Sequence, residues 1–276
     1  RDRLRSRGLG DVYKRQKKTY EYNSRNLVTK TQSYDKEGTK TLTSRYRYDD
    51  KGQLSEMTDY SVSSETETAY RYTEYSYDTR GRITTFAEIS QNAQPTADDI
   101  KAHQIRYTYN EDGNLSKVSY PTTKDGIQAL SYIYDENGWL QEIKGELHSK
   151  GQTTEKVLRS YTYDAYGKVK EIKDYRNLLK DSDQAVQKVY IYDNFDRVKE
   201  MTYTDLETEK EMESYQYSYD KNSNIIEKTA VNNYPKEDSD KVNETKSYTY
   251  DTFGRLTKTV TTDHCKDDKT KTVTYT

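Results

Sequence analysis

The residues with chemical potential in this chain are few. Three histidines, His103, His148 and His264, sit in or beside stretches of unrelated composition. A general-base histidine needs an orienting carboxylate and a nucleophile within reach. The spacing supplies neither, so solvated loop histidines are the expectation. "DHCKDDK" (Asp263–Lys269) gathers His264, Cys265, Asp267 and Asp268 and is the most metal-like string. Zinc asks for paired Cys or His ligands at defined spacing, so a charged hairpin tip is expected instead. "DSD" at Asp181–Asp183 and "EDSD" at Glu237–Asp240 lack the glycine and distal glutamate of a calcium loop. Glycines fall one per turn and build no phosphate cradle. No catalysis, cofactor or metal is expected.

Aromatic chemistry is abundant. The chain holds 30 tyrosines and one tryptophan, Trp139. Exposed aromatic rows with polar edges can stack on sugar rings or peptide aromatics. Cross-strand pairs that stabilise a sheet account for the same spacing. Trp139 occupies a slot held elsewhere by Arg82, Lys168, Arg197 or Arg255. That slot is expected to face outward, which makes Trp139 the best single binding candidate.

The elements that must position these rings are written nine times. Y-x-Y-[DN] recurs at Tyr20, Tyr46, Tyr75, Tyr107, Tyr132, Tyr161, Tyr190, Tyr217 and Tyr248. The fullest copies read Tyr132, Tyr134, Asp135, Gly138, Leu140; Tyr161, Tyr163, Asp164, Gly167, Val169; and Tyr248, Tyr250, Asp251, Gly254, Leu256. Y-x-Y has period two, so both rings share one face of a strand. The middle residue is polar in seven of the nine copies, so the other face should meet water. D-x-x-G predicts a type I turn, closed by a glycine in the left-handed region. Asn26 and Asp196 replace the glycine in two copies and tolerate that region. Ser223 fits poorly and suggests a shifted turn. In the first copy the aliphatic, Leu27, arrives one residue early. A second apolar residue often follows the aliphatic by three, as Met57, Phe86 or Ile172; that odd offset predicts a bulge. The opposite tips vary freely, among them "DKEG" (Asp35–Gly38), "SQNAQPTADD" (Ser90–Asp99), "KDSDQA" (Lys180–Ala185) and "YPKEDSDK" (Tyr234–Lys241).

The expected fold is therefore all-β: an antiparallel hairpin repeat array of roughly eighteen strands, curling into a spiral or barrel-like open sheet. Residues 17–276 form a single array, with Tyr275 placed to open a tenth copy. "RDRLRSRGLGDVYKRQ" (Arg1–Gln16) matches nothing after it and is read as a non-native or disordered arm. Hydrophobic residues are only 31%, against a usual ~45–50%, but near-neutral charge and abundant tyrosine argue for order. Acids and bases are interspersed, with no basic stripe for nucleic acid. No apolar run suits a membrane helix, and the single Cys265 excludes an internal disulfide.

Y-x-Y-D-x-x-G-x-L at this period resembles the YD repeat of the RHS family, across residues 20 to 276. The resemblance implies a β-shell that encloses or displays a polypeptide cargo, in secreted or cell-surface and mostly bacterial proteins. A cell-surface adhesion or glycan-binding module is the alternative it implies. The chain departs from the toxin shells in lacking any Asp-Pro dipeptide. Open strand edges also suggest self-association by strand addition.

Overall fold

In the computed structural model, residues 17–90, 95–121, 125–175, 185–233 and 241–275 are described. They form nineteen strands and one short helix, an open antiparallel hairpin array. The arm 1–16 and the acidic strings Asp181–Asp183 and Glu237–Asp240 lie outside the described residues.

The chain divides into two compact units, the first running to Ala129 and taking back His148–Gln152, the second holding Leu130–Leu147 and the chain from Thr153. The first unit contains β1 (Lys18–Tyr22), β2 (Val28–Tyr34), β3 (Lys40–Tyr48), β4 (Leu54–Ser63), β5 (Thr66–Tyr77), β6 (Ile83–Ile89), α1 (Ala97–Ala102), β7 (Gln104–Tyr109) and β8 (Leu115–Ser119), and it includes the start of β9 (Gly126–Tyr134). The second unit contains most of β10 (Leu140–Ser149) and β11 (Gln152–Tyr163), then β12 (Val169–Asp174), β13 (Val186–Tyr192), β14 (Val198–Asp205), β15 (Glu211–Tyr219), β16 (Ile225–Asn232), β17 (Val242–Tyr250), β18 (Leu256–Asp263) and β19 (Lys269–Thr274). Within each unit, consecutive strands pair antiparallel, as in β1–β2, β3–β4, β15–β16 and β17–β18.

The repeat explains the register. The second tyrosine of each copy pairs with the aliphatic: Tyr48 with Leu54, Tyr77 with Ile83, Tyr163 with Val169, Tyr250 with Leu256. The first tyrosine pairs with the residue three further on: Tyr46 with Met57, Tyr75 with Phe86, Tyr161 with Ile172. One residue is skipped between these pairs, and the expected bulge is there. In the β11–β12 hairpin the skipped residue is Lys170. An odd spacing thus puts two apolar residues opposite two tyrosines, because the bulge absorbs one pleat.

Three expectations are corrected. Tyr22 pairs with Val28, not Leu27, so the first copy is in register and its aliphatic is Val28. Ser223 does not shift its turn; it takes φ +68° in the glycine position and donates its N–H to Asp220 O at 3.1 Å. "DKEG" is not a loose tip. Gly38 has φ +88°, and Asp35 Oδ1 accepts the N–H of Glu37 and Thr39 at 3.0 and 2.8 Å, so it is the same turn at the opposite end of the strands. The described part of "SQNAQPTADD" adds to the expected variation of the tips: it runs into α1, where Thr96 and Asp99 form a reciprocal capping box.

Little is fully buried. In the first unit Thr31, Thr43, Ser44, Thr58, Asp59 and Thr73 are buried beside Ala87, Ile89, Val118 and Ala129. In the second unit Leu158, Ala185, Asp205 and Ala230 are. Apart from Tyr20 and Tyr22, the repeat tyrosines are half-buried, and their middle neighbours are exposed except Ile133. Apolar stabilisation therefore comes from many partly covered rings rather than from a thick core.

Candidate interaction surface

The tight turns carry the densest set of specific contacts. In each, the leading acid accepts turn amides: Asp164 Oδ1 takes the N–H of Tyr166 and Lys168, both at 2.9 Å, and Asp135 Oδ1 takes those of Asn137 and Trp139, both at 2.9 Å. These bonds favour the charged carboxylate. The backbone amide of Lys168 holds the Asp164 pKa below its ordinary value, the amide of Arg82 does so for Asp78, and the Arg197 side chain does so for Asp193.

The second tyrosine ties each copy to the one before. Its hydroxyl donates to the backbone carbonyl of the preceding copy's aliphatic: Tyr48 to Val28 at 2.7 Å, Tyr77 to Leu54 at 2.7 Å and Tyr109 to Ile83 at 2.8 Å in the first unit. Tyr163 to Leu140 at 2.6 Å, Tyr192 to Val169 at 2.8 Å, Tyr219 to Val198 at 2.7 Å and Tyr250 to Ile225 at 2.8 Å follow in the second. The phenolic proton is thus in use, and burial pushes up the pKa of Tyr48, Tyr77, Tyr163, Tyr192 and Tyr219.

The slot after the turn glycine was expected to face outward, and the Arg255 side chain is 76% exposed, but Arg82, Trp139, Lys168 and Arg197 do not project freely from the sheet. They reach across the next turn. Arg82 donates to Gly113 O at 3.2 Å and lies 4.1 Å over the Tyr109 ring. Arg197 donates to Asp220 O at 3.1 Å and lies 4.4 Å over Tyr219. Lys168 lies 5.2 Å over Tyr192 and pairs with Asp196. Trp139 takes the same place: its ring is 5.4 Å from that of Tyr163, and a Cβ on Gly167 would sit 2.7 Å from its Cζ2. Arg, Lys and Trp exchange here because each can cover an aromatic face. Trp139 also borders a cleft of about 390 Å³ shared with Asp135, Gln141, Tyr161 and Asp164. The equivalent cleft one copy later, about 620 Å³, is bordered by Tyr166, Lys168, Tyr190, Tyr192 and Asp193.

Sequence reasoning missed the third residue of the turn. Tyr166, Phe195 and Phe253 hold it in the second unit and are 86%, 78% and 83% exposed. The signal was available: Arg25, Lys51, Arg80 and Asp112 hold the same position in the first unit.

Of the histidines, His103 ends α1, with Nδ1 2.8 Å from Asp99 O, and His148 lies within β10. His264 is an exposed residue of the β18–β19 tip, as expected, but it is not without partners. Its Nδ1 lies 2.5 Å from Asp268 Oδ1 and its Nε2 3.0 Å from Thr245 Oγ1. This hydroxyl–imidazole–carboxylate chain ties the β18–β19 tip to β17. Catalysis by such a chain needs donors placed for an oxyanion. Among the described residues no group of three or more His, Cys, Asp or Glu side chains is placed to hold a metal, and no helix is long and apolar enough to cross a membrane.

No protein-family model matches this chain, and no curated protein matches it. Among solved structures it is similar to the Tc holotoxin pore of Photorhabdus luminescens, at 16% identity and TM-score 0.45, over 93% of this chain and 16% of that one. It is also similar to the TcdB2–TccC3–TEV structure (15% identity, TM-score 0.47, 93% and 15%) and to TcdB2–TccC3 (17%, 0.45, 93% and 17%). The chain thus spans about one sixth of the length of these structures' chains.

Proposed function

We propose that the chain is a segment of a non-catalytic β-wall that encloses or displays another polypeptide. The tyrosine ladder is the observation that supports this most. Seven side-chain-to-main-chain bonds join successive copies, so the wall can extend copy by copy without a thick core. The contacts of the turn edge are spent on structure rather than on a reactive centre. A secreted bacterial setting goes with this reading. Limited proteolysis of the full gene product tests it. A polypeptide outside the repeats should be protected, and should become cleavable when Tyr77→Phe, Tyr163→Phe and Tyr192→Phe loosen the wall. Equal cleavage in both proteins would overturn the reading.

The cleft beside Trp139 favours a second reading, a surface module that binds glycans by ring stacking. A hit on a glycan array that Trp139→Ala weakens by about tenfold or more would support it. Retention of every hit would remove it.

A further inference from the structure

We propose that the tight-turn edge of the second unit docks on the headgroup–acyl boundary of a zwitterionic lipid bilayer, through Tyr166, Phe195 and Phe253. Three large rings almost bare to water on one edge call for a partner. Their backbone is fixed by the turn. The N–H of each donates to its own turn's aspartate Oδ1, at 2.9 Å for Tyr166 and 2.8 Å for both Phe195 and Phe253. These bonds fix the backbone from which each ring projects.

Each ring also has a companion cation from its own turn: Lys168 at 5.7 Å from Tyr166, Arg197 at 5.1 Å from Phe195 and Arg255 at 5.5 Å from Phe253. Each cation is matched by the turn's acid: Lys168 with Asp164 at 3.7 Å, Arg197 with Asp193 at 2.6 Å, Arg255 with Asp251 at 2.7 Å. The Tyr166 and Phe253 tips are thus each a ring, a cation and an anion with no net charge; the Phe195 tip adds a second acid, Asp196, which pairs with Lys168 of the turn before and leaves the row with a single excess negative charge. The headgroup region of a phosphatidylcholine bilayer has the complementary composition. Aromatic rings settle at the interface, while the guanidinium or ammonium meets phosphate and the carboxylate meets choline.

Spacing separates a bilayer from a protein partner. Neighbouring turns on one edge are two strands apart, ~10 Å, and the turn between Phe195 and Phe253 carries Asn222 at the equivalent position. The rings therefore form an interrupted row of about 30 Å. A protein would need separate pockets matched to that spacing. A bilayer surface accepts rings wherever they fall.

Co-flotation of the whole 276-residue chain with phosphatidylcholine vesicles tests this. The chain is expected to float with the vesicles, and adding phosphatidylglycerol should change the bound fraction by about twofold or less. Y166S/F195S/F253S should lower partitioning by about tenfold or more, and R80S, at the same turn position in the first unit, should not. Circular dichroism and Trp139 fluorescence confirm the fold, and F195S and F253S singly should each give a partial loss. Failure to float with phosphatidylcholine would overturn the proposal, as would a triple variant that floats like the parent. Binding that requires phosphatidylglycerol and vanishes in salt would overturn it too, because charge rather than the rings would then carry it.

Discussion

The two units write the same repeat and bury different things. In the first, the strand ends away from the repeat turns close over polar groups. Asp59, its side chain 3% exposed, pairs with Arg71 and accepts from Ser44 Oγ at 2.5 Å. Thr43 and Arg45 both donate to Glu67, at 2.9 and 2.6 Å. In the second unit the comparable region also buries an acid, Asp205, bonded to its own turn amides, but two of its cations lie among rings rather than on acids. Lys188 lies 4.9 and 4.8 Å over Tyr190 and Tyr203, and Lys228 lies 5.0 Å over Tyr215. The third turn residue diverges as well: Arg25, Lys51, Arg80 and Asp112 in the first unit, against Tyr166, Phe195 and Phe253 beside Asn137 and Asn222 in the second. The lesson is that turn and ladder form a frame indifferent to what fills the rest, because every frame contact uses either backbone or repeat residues.

Alkaline pH should break both units and the second one more. Burial raises the pKa of Tyr48, Tyr72, Tyr77 and Tyr107 in the first unit. It does the same to Tyr134, Tyr163, Tyr192, Tyr217, Tyr219 and Tyr248 in the second. Tyr215 is pushed up to about 12, by burial and by its bond to Glu213. The folded state therefore holds phenolic protons more tightly than the unfolded chain does. That stability is complete below pH ~10 and is lost as pH rises towards the folded values. Tyrosinate absorbance should rise together with unfolding, Trp139 fluorescence reporting the second unit. Titration of all tyrosines near pH 10 with the fold intact would refute this.

Removing the ion-paired buried acid of the first unit should separate the units. Asp59→Ala leaves Ser44 and Arg71 without their acceptor and should cost about 2–3 kcal/mol; Arg71 is 41% exposed, and its access to water holds the loss at that level. Lys188→Met keeps the stem over the rings and should cost about 1 kcal/mol or less. Chemical denaturation measures both, and equal losses would erase the contrast.

The turn glycines sharpen the comparison within the second unit. Gly167 has φ +83° and Trp139 beneath it, whereas Gly254 has φ +77° and nothing within 4 Å. Gly254→Ala should cost about 1 kcal/mol from backbone strain, and Gly167→Ala about 2 kcal/mol. Trp139→Ala should recover part of the Gly167→Ala loss in a double-mutant cycle. Purely additive losses would mean the ring and the glycine do not meet.

The smallest effects belong to the shared frame. Tyr77→Phe in the first unit and Tyr192→Phe in the second should each cost about 1 kcal/mol, the net worth of one hydrogen bond. Similar values in the two units are expected, and a loss confined to one would show that the ladder is not common to both.

The nine copies, the shared face of each tyrosine pair, the Asp–Gly turn and the bulge were all legible in the sequence. Each is decided within about ten residues, by strand periodicity and by the steric rule for positive φ. The third-residue aromatics were legible too, as exceptions to a polar position. Three things were not. The destination of the tyrosine hydroxyl lies twenty or more residues upstream, where no local pattern points. Trp139 shares the slot of Arg82, Lys168 and Arg197 in the sequence, but what that slot covers shows only once the neighbouring turn is known to present Gly167 and Tyr163 to it. His264 meets Thr245 because β17 and β18 pair in one particular register. Local sterics determine which backbone a short stretch adopts, but the partner of a side chain depends on strand register and on the next hairpin, and only the tertiary structure decides those.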